Sequence, residues 1–311
     1  MFQTVDWPTT STVSFRTMVD HDWYVGYSSY GFNRTDIKCG SFGGRENSSQ
    51  KINKIPVIFI HDNEDVAYGR GTVDGKKSLI AGYQAWQTGF RQLAKYLIAN
   101  NYTSAELYTT TYGSGRQLDG NNNYHSKEFL MRLRKFVEAV LAYTGSKQVN
   151  VISHGMGVTL ARKVVKGGAC NDHQAGYYDV GPSISKLVNA FIGIAGYNLG
   201  LASCVPEFVF PVCSNRDGFF PGTIVGTGLS EYITNLNSQG GTEGTNVWSI
   251  WSADDEITGP GSLVFNRVTC RIPGQNGEVK KSTLEWNHNY LRDNSGPDIL
   301  PLLGWFDPNI M

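Results

Sequence analysis

Hydrophobic positions along the chain follow two alternating patterns. Short apolar runs rich in branched residues recur, and such runs are typical of strands buried on both faces of a parallel sheet. They occupy residues 55–60, 107–112, 148–152, 188–195 and 247–251. Between them, apolar residues recur at intervals of three and four, which is the spacing of one helical face. The alternation predicts an α/β fold with a mainly parallel central sheet.

Local signals predict three helices between these strands. One covers about residues 81–100. A second follows Ser126, which can cap its start, and stops at Gly145. A third follows the S-H-G-M-G turn at residues 153–157 and ends near residues 167–168. Parallel sheets hold functional groups at the carboxyl ends of their strands. The positions to inspect are therefore His61, residues 153–157, the region after Trp251 and the loop that contains His288.

Length and composition fit one domain, which we expect to cover residues 1–311. Hydrophobic residues make up 40% of the chain, enough for a substantial core. Residues 1–50, rich in Gly, Ser, Asn and Tyr, predict an irregular N-terminal region. Basic and acidic residues both number 27 and no basic run occurs, which argues against nucleic acid as a partner. No apolar stretch reaches membrane-spanning length.

Cysteines and glycosylation sequons favour secretion. Sequons begin at Asn33, Asn47 and Asn101, and the chain has five cysteines. Cys204 and Cys213 flank a Pro-containing turn that a disulfide could close, whereas in a reducing compartment all five cysteines would be ordinary small side chains. The first residues show no basic region followed by an apolar one, so the protein is either cytosolic or its signal has been removed. We expect the second.

The turn after the third predicted strand carries the candidate chemistry. The sequence V-N-V-I-S-H-G-M-G places a strand, a sharp turn and a helix in succession, as in a nucleophile elbow of consensus G-x-S-x-G. Gly155 stands where the consensus has its serine nucleophile, and Ser153 stands at the first glycine. Glycine adopts the strained turn at lower cost than serine. We therefore expect the turn to form without the catalytic hydroxyl.

Several spaced motifs give this region a specific resemblance. They are P-V-I-F-I-H-D-N-E-D, N-N-Y-H-S, A-Y-T-G-S-K-Q-V-N-V-I-S-H-G-M-G-V, and the later G-L-A-S-C and G-F-F-P-G. From Pro56 to about Gly168 the chain resembles the class 2 lipases, including nematode lipase-related proteins, and the extracellular polyhydroxybutyrate depolymerases that attack native granules. The resemblance implies an α/β-hydrolase fold, carboxylic esters such as acylglycerols or polyester as ligands, and no cofactor or metal.

The resemblance also implies an oxyanion hole and a substrate-binding residue. Backbone N–H groups of Asn63 and Met156 would bind the oxyanion. Asp62 departs from the family's His-Gly-Asn sequence at this point and brings a carboxylate near that site. Tyr124 aligns with a segment that lines the substrate cleft, and the alternative is a ring packed under a surface loop.

The chain order of nucleophile, acid and histidine identifies the remaining candidates. Asp255, in the sequence D-E-I, matches the family's acid, with Asp254 as the alternative. His288 lies in a predicted late loop and would be the general base, with Asp255 fixing its tautomer. Without the elbow, an acidic turn and a single late histidine would be ordinary surface residues. Ser153 precedes the turn, so we expect its side chain to pack.

Three functions are compatible with the sequence. The first is a lipase-like protein, natural or engineered, that is inactive or strongly impaired and retains a pocket for an ester or lipid-like ligand. Gly155→Ser should then generate p-nitrophenyl ester hydrolysis if Asp255 and His288 are poised. The second is a weak hydrolase in which His288 activates water directly. The third is a secreted interaction module, marked by exposed aromatic residues between Gly200 and Gly228. In each case we expect a monomer.

Overall fold

A seven-stranded sheet forms the centre of the molecule. The computed structural model describes residues 30–37, 39–69, 86–205, 210–224 and 228–304. Strand order in the sheet is β1-β3-β2-β4-β7-β8-β11, with β1 antiparallel to β3 and every other neighbouring pair parallel. Hairpins β5–β6 and β9–β10 lie outside it. The strands are β1 (Ser41–Gly43), β2 (Val57–Ile60), β3 (Leu107–Thr110), β4 (Val149–His154), β5 (Ala169–Asp172), β6 (Gly176–Asp179), β7 (Val188–Ile194), β8 (Asn246–Ser252), β9 (Leu263–Val264), β10 (Arg267–Val268) and β11 (Gly277–Lys281).

Helices cover both faces of this sheet. Along β2, Ile58 and Ile60 belong to one apolar cluster and Val57 and Phe59 to the other, because successive side chains of a strand point to opposite faces. Helices α2, α3 and α4 pack on the first face, and α1, α5 and α6 on the second. Their bounds are α1 (Arg91–Ala99), α2 (Lys127–Thr144), α3 (Met156–Lys166), α4 (Glu231–Ser238), α5 (His288–Asn294) and α6 (Gly296–Leu303); 3₁₀ turns occupy Ser104–Glu106, Gln117–Asn122, Ser185–Leu187, Ala202–Cys204, Pro211–Cys213 and Pro260–Ser262.

Helix α2 begins and ends where the sequence predicts. The Ser126 hydroxyl accepts a hydrogen bond from the Phe129 amide, which satisfies one of the unpaired donors of the first turn. At the other end Gly145 adopts φ +66°, the left-handed conformation that favours glycine. These two signals are local, so they survive in the folded protein.

Helix α1 is shorter than predicted. It begins at Arg91, and residues 86–90 form turns and irregular chain. Residues 81–85 lie outside the described part. Tertiary contacts use the backbone groups that a helix would need, because Gly89 N donates to Asp65 and Trp86 O accepts from Arg292. Gly89 also has φ +53° and lies against the backbone of residues 66–67, where no Cβ would fit. The prediction was wrong for this segment.

The disulfide expected in the sequence is present. Cys204 and Cys213 are bonded, with their Cα atoms 5.1 Å apart, and close a loop between two 3₁₀ turns. Cys39, Cys170 and Cys270 are free thiols. Among the helices described, none combines the length and the apolar composition that crossing a bilayer requires.

Candidate active site

Gly155 forms the turn between β4 and α3. Its backbone has φ +52° and ψ −122°, a conformation that residues with a Cβ rarely adopt. Its N–H donates to Ile194 O at 2.9 Å, which ties the turn to the end of β7. Gly157 lets α3 approach β2, because a Cβ there would overlap the carbonyl oxygens of residues 60 and 61. The turn thus has the backbone form of an elbow, and Ser153 is buried before it with its hydroxyl directed to Ile192 O.

His288 and Asp255 lie side by side next to this turn. His288 Nδ1 is 2.8 Å from Asp255 Oδ2, and both residues are buried. Asp255 Oδ1 accepts from the amides of Ile257 and Thr258, so the carboxylate is fixed from both sides. An acceptor at this distance places a proton on Nδ1. His288 is the first residue of α5, after the N-cap Asn287, and does not lie in a loop as predicted.

The carboxylate of Asp62 fills the space in front of Gly155. Asp62 Oδ1 accepts from the Met156 amide at 2.5 Å, and Oδ2 lies 2.9 Å from His288 Nε2. The Tyr197 hydroxyl, 3.1 Å away, donates to the same Oδ2. A Cβ built on Gly155 would lie 2.5 Å or less from both carboxylate oxygens. Asp62 therefore occupies the volume that a serine side chain at 155 would need.

Strand order explains how a residue from a different turn reaches this place. Strands β2 and β4 are parallel neighbours, with Ile60 paired to Ser153, so the residues that follow them meet at the same edge. Asp62 follows β2, as Gly155 follows β4. Tyr197 follows β7, the other neighbour of β4.

Opposite charges alternate along this chain of contacts. Burial opposes the charge on His288, but the neighbouring carboxylates of Asp255 and Asp62 outweigh it and raise the pKa of the imidazole to about 10. Burial likewise opposes the charge on Asp62, but the hydrogen bond from His288 and its positive charge hold the pKa of the carboxyl well below its usual range. Burial would raise the pKa of the Asp255 carboxyl, but the positive charge of His288 outweighs it and lowers that pKa. At neutral pH the arrangement is carboxylate, imidazolium, carboxylate.

Two buried anchors hold the loop that carries Asp62. His61 Nδ1 donates to Asp62 O at 2.7 Å, its Nε2 accepts from the Tyr112 amide, and burial lowers the pKa of the ring to about 4, so it stays neutral. Asp65 pairs with Arg292 of α5 at 2.6 Å, with both side chains fully buried. Burial raises the pKa of Asp65 to about 6 despite this pair. The loop is therefore fixed to the segment after β3 at one end and to α5 at the other.

The other predicted site residues lie in different surroundings. The Met156 amide donates to Asp62, so that predicted oxyanion donor is already engaged. The Asn63 side chain donates to Gly120 O at 3.1 Å. Tyr124 lies outside the space around Gly155 and lines a separate hollow. Its hydroxyl is 3.5 Å from Asp172 Oδ1, and its ring packs on His173.

A cleft of about 590 Å³ opens in front of Asp62. Sequence reasoning missed Tyr197 and Glu64 in its lining, although both follow strands at the functional edge of the sheet. Positive φ values at Ala195 (+51°) and Glu64 (+61°) mark the turns that bring them there. The apolar lining residues include Trp86, Leu201, Phe210, Val212, Phe219 and Ile257.

Two groups of described side chains have spacing that could hold a metal ion. Asp62, His154 and His288 offer ligand atoms within 4.8 Å of one another, as do Asp172, His173 and Asp217. In the first group, hydrogen bonds already join Asp62 to His288. In the second, backbone amides and the His173 ring bind the carboxylates. Hydrogen bonds within the chain therefore engage the carboxylates of both groups, whereas the buried His154 Nδ1 has no partner among the described residues.

Sequence comparison assigns the chain to a family. The family model described as lipase (class 2) matches residues 54–294, most of the chain. The chain belongs to the class 2 lipase family. This confirms the resemblance seen in the motifs around the elbow, and the match extends beyond them to include Asp255 and His288. No curated protein sequence matches this class 2 lipase-family protein.

Several solved structures resemble this class 2 lipase-family protein. A mature lipase from Bacillus licheniformis is 12% identical, with a TM-score of 0.49, and the match covers 85% of this chain and 97% of that one. A bifunctional protein from Bacteroides eggerthii is 10% identical over 82% of this chain and 34% of its own, with a TM-score of 0.51. At these identities the likeness concerns the fold alone. The family match, together with the mainly parallel sheet and the helices on both of its faces, confirms the predicted α/β-hydrolase fold.

Proposed function

We propose that this class 2 lipase-family protein has lost serine-dependent ester hydrolysis and retains its cleft as a binding site for an ester or lipid-like ligand. The observation that carries the proposal is the position of the Asp62 carboxylate, which overlaps the volume of a side chain at 155 and accepts from the Met156 amide. One residue thus takes both the nucleophile's space and an oxyanion donor.

Three requirements of the serine mechanism fail together. Gly155 has no hydroxyl to attack a carbonyl carbon. The fixed negative charge of Asp62 at the Met156 amide would repel the oxyanion that this donor should stabilise. His288, with its pKa raised to about 10, is protonated at neutral pH and cannot accept a proton.

The two alternatives find less support. A water attacking under the control of His288 would need the Nε2 position, which Asp62 and Tyr197 contact at 2.9 and 3.1 Å. An interaction module should expose aromatic residues between Gly200 and Gly228. Among the described aromatic residues there, Phe219 is buried, Phe220 is partly buried and the half-exposed Phe210 lines the cleft. A ligand-binding cleft is therefore favoured.

Secretion is part of the same proposal. The Cys204–Cys213 disulfide is stable in an oxidising compartment, and two of the three sequon asparagines, Asn47 and Asn101, are exposed. Asn33 is partly buried, and its side-chain oxygen is enclosed by protein. We expect glycosylation, where it occurs, at the two exposed sites.

The test compares Gly155→Ser, Asp62→Gly and the double variant in p-nitrophenyl ester hydrolysis. Contrary to the expectation from sequence, we now expect Gly155→Ser alone to stay inactive, because its side chain would overlap Asp62. Asp62→Gly alone lacks a nucleophile. The double variant should gain activity, since it restores the hydroxyl, frees the Met156 amide and removes one of the two carboxylates that keep His288 protonated.

A triple variant that adds His288→Ala serves as the control and should abolish the gained activity. Circular dichroism and thermal melting establish that each variant is folded. Hydrolysis by the unmodified protein, at a rate that Gly155→Ser/Asp62→Gly does not raise, would refute the loss of function. A folded double variant without activity would refute the assignment of Asp255 and His288.

A further inference from the structure

The cleft in front of Asp62 is acidic. Its lining includes the carboxylates of Asp62, Glu64 and Glu256. No Lys or Arg occurs among the described residues that line it. The basic group there is His288, which is held between Asp62 and Asp255. These charges leave an excess of negative charge at the cleft.

Glu64 is the carboxylate that lacks a partner. Among the described residues, none forms a hydrogen bond or ion pair with its side-chain oxygens. The side chain is only partly exposed, and burial, followed by the charge of Asp62, raises the pKa of the Glu64 carboxyl. Its carboxylate lies against Gly120, where a Cβ would overlap Oε1. An unpaired, partly buried carboxylate costs free energy unless a ligand supplies the opposite charge.

The rest of the cleft suits an organic cation better than a metal ion. Trp86, Tyr197, Phe210 and Phe219 present aromatic groups, and Leu201 and Ile257 add aliphatic surface. Ammonium groups are attracted to aromatic faces as well as to carboxylates. The same acidic lining repels a fatty-acid anion by its field. A volume of about 590 Å³ also exceeds what a bare ion occupies.

We propose that the ligand of this cleft carries an ammonium group on an apolar chain. The ammonium group lies between Glu64 and Asp62, and the chain runs along Leu201, Phe210 and Ile257. Glu256, whose carboxylate accepts from the His288 amide at 2.9 Å, is exposed and adds negative charge at the mouth. The inference rests on the proposed function, since it concerns a ligand that binds without serine-dependent hydrolysis.

The experiment is calorimetric titration of the unmodified protein with choline octanoate and with its neutral carbon isostere, 3,3-dimethylbutyl octanoate. The two esters share size and shape and differ in one charge. We expect the choline ester to bind at least about tenfold more tightly at low ionic strength, a difference of ~1.4 kcal/mol. Added salt should reduce this preference. Tetramethylammonium, which tests the headgroup alone, should bind weakly.

Glu64→Gln should reduce the preference to about threefold or less while leaving the affinity for the neutral ester unchanged. Glu128→Gln, an exposed acid on α2 outside the cleft, is the matched control and should keep the full preference. Equal affinities for the two esters would overturn the inference and leave the proposed function intact. Binding of neither ester would overturn both. Hydrolysis of the choline ester by the unmodified protein would refute the proposed function, while the charge preference would still stand.

Discussion

The site has two sides. The first side consists of His288, at the start of α5, and Asp255, in the turn after β8. The second side, also called the loop side, consists of Gly155, in the turn after β4, and Asp62, in the turn after β2. The first side has the contacts of a hydrolase acid and base, with a 2.8 Å hydrogen bond and a carboxylate fixed by two amides. The second side holds a carboxylate where a serine would act. Both sides are buried.

The second side differs from a hydrolase by two changes that fit each other. A glycine at 155 leaves a space, and the Asp62 carboxylate occupies it with hydrogen bonds to the Met156 amide and to His288. A serine at 155 would exclude this carboxylate, and a glycine at 62 would leave His288 without its second partner. Under the proposed function, Gly155 and Asp62 are therefore a matched pair.

The altered side also changes the chemistry of the side that is intact. In a working triad the histidine must be neutral before it takes the serine proton. The second carboxylate helps to raise the pKa of His288 to about 10, so under the proposed function the imidazole stays protonated and does not act as a base. The positions of His288 and Asp255 alone would therefore suggest a base that can accept a proton, whereas the raised pKa of His288 argues against it.

Removing the Asp65–Arg292 ion pair, which anchors the loop that carries Asp62, has the largest expected effect on the free energy of unfolding. In Asp65→Asn, the fully buried Arg292 guanidinium loses the buried one of its two carboxylate partners, and only the partly exposed Asp293 remains. We expect the free energy of unfolding, measured by urea denaturation at pH 7.5, to fall by about 3–5 kcal/mol. Glu128→Gln, which removes the i,i+4 pair between the exposed Glu128 and the partly buried Arg132, is the control and should change the free energy of unfolding by less than about 0.5 kcal/mol. A loss below about 1 kcal/mol in Asp65→Asn would mean that the loop does not depend on this anchor.

Adding one carbon at the elbow tests whether the two changes are matched. Gly155→Ala should destabilise by roughly 2–4 kcal/mol, because its Cβ overlaps Asp62 and its φ is positive. In the Asp62→Gly background the same substitution should cost at least ~1 kcal/mol less, a coupling that a double-mutant cycle measures.

Gly145→Ala is the control for backbone strain alone. Gly145 has φ +66° with nothing within 4 Å of an added Cβ, so its loss should be about 1 kcal/mol and independent of Asp62. Additive effects of Gly155→Ala and Asp62→Gly would show that the glycine and the carboxylate are not matched.

Local signals in the sequence were sufficient for the framework. The buried runs became β2, β3, β4, β7 and β8, and Ser126 with Gly145 bounded α2. Strand β11, G-E-V-K-K, was missed because an edge strand with polar exposure has no continuous apolar run. The hairpin β5–β6, A-C-N-D and G-Y-Y-D, was missed for the same reason.

The candidate site could be predicted as a set of positions but not as an arrangement. The elbow consensus and the chain order identified Gly155, Asp255 and His288, and the structure brings them to one edge of the sheet. That Asp62 would reach His288 could not be predicted, since it depends on a side-chain conformation between neighbouring strands. Motif alignment also suggested a cleft position for Tyr124, whereas its ring packs on His173 in a separate hollow.

The pKa of His288 provides the smallest expected effect, and it tests how the second side changes the charge of the first. Its pKa is raised from 6.5 to about 10, so its contribution to stability is fully present below pH 6.5 and is lost as the pH rises through about 10. Asp62→Asn keeps the size of the side chain but removes one of the two negative charges that cause the shift. We expect NMR titration of the imidazole to show a pKa at least about one unit lower, equivalent to about 1.4 kcal/mol.

The stability of Asp62→Asn should accordingly begin to fall at a lower pH than that of the unmodified protein. His125 provides an internal control, because burial lowers its pKa to about 3 and its ring contacts Thr159 and the Asp217 carbonyl, away from Asp62. Its resonances should not change between about pH 6 and 10 in either protein. An unchanged His288 pKa in Asp62→Asn would mean that Asp255 alone keeps the imidazole protonated. Asp62 would then block the site by occupying space and not by altering the proton affinity of His288.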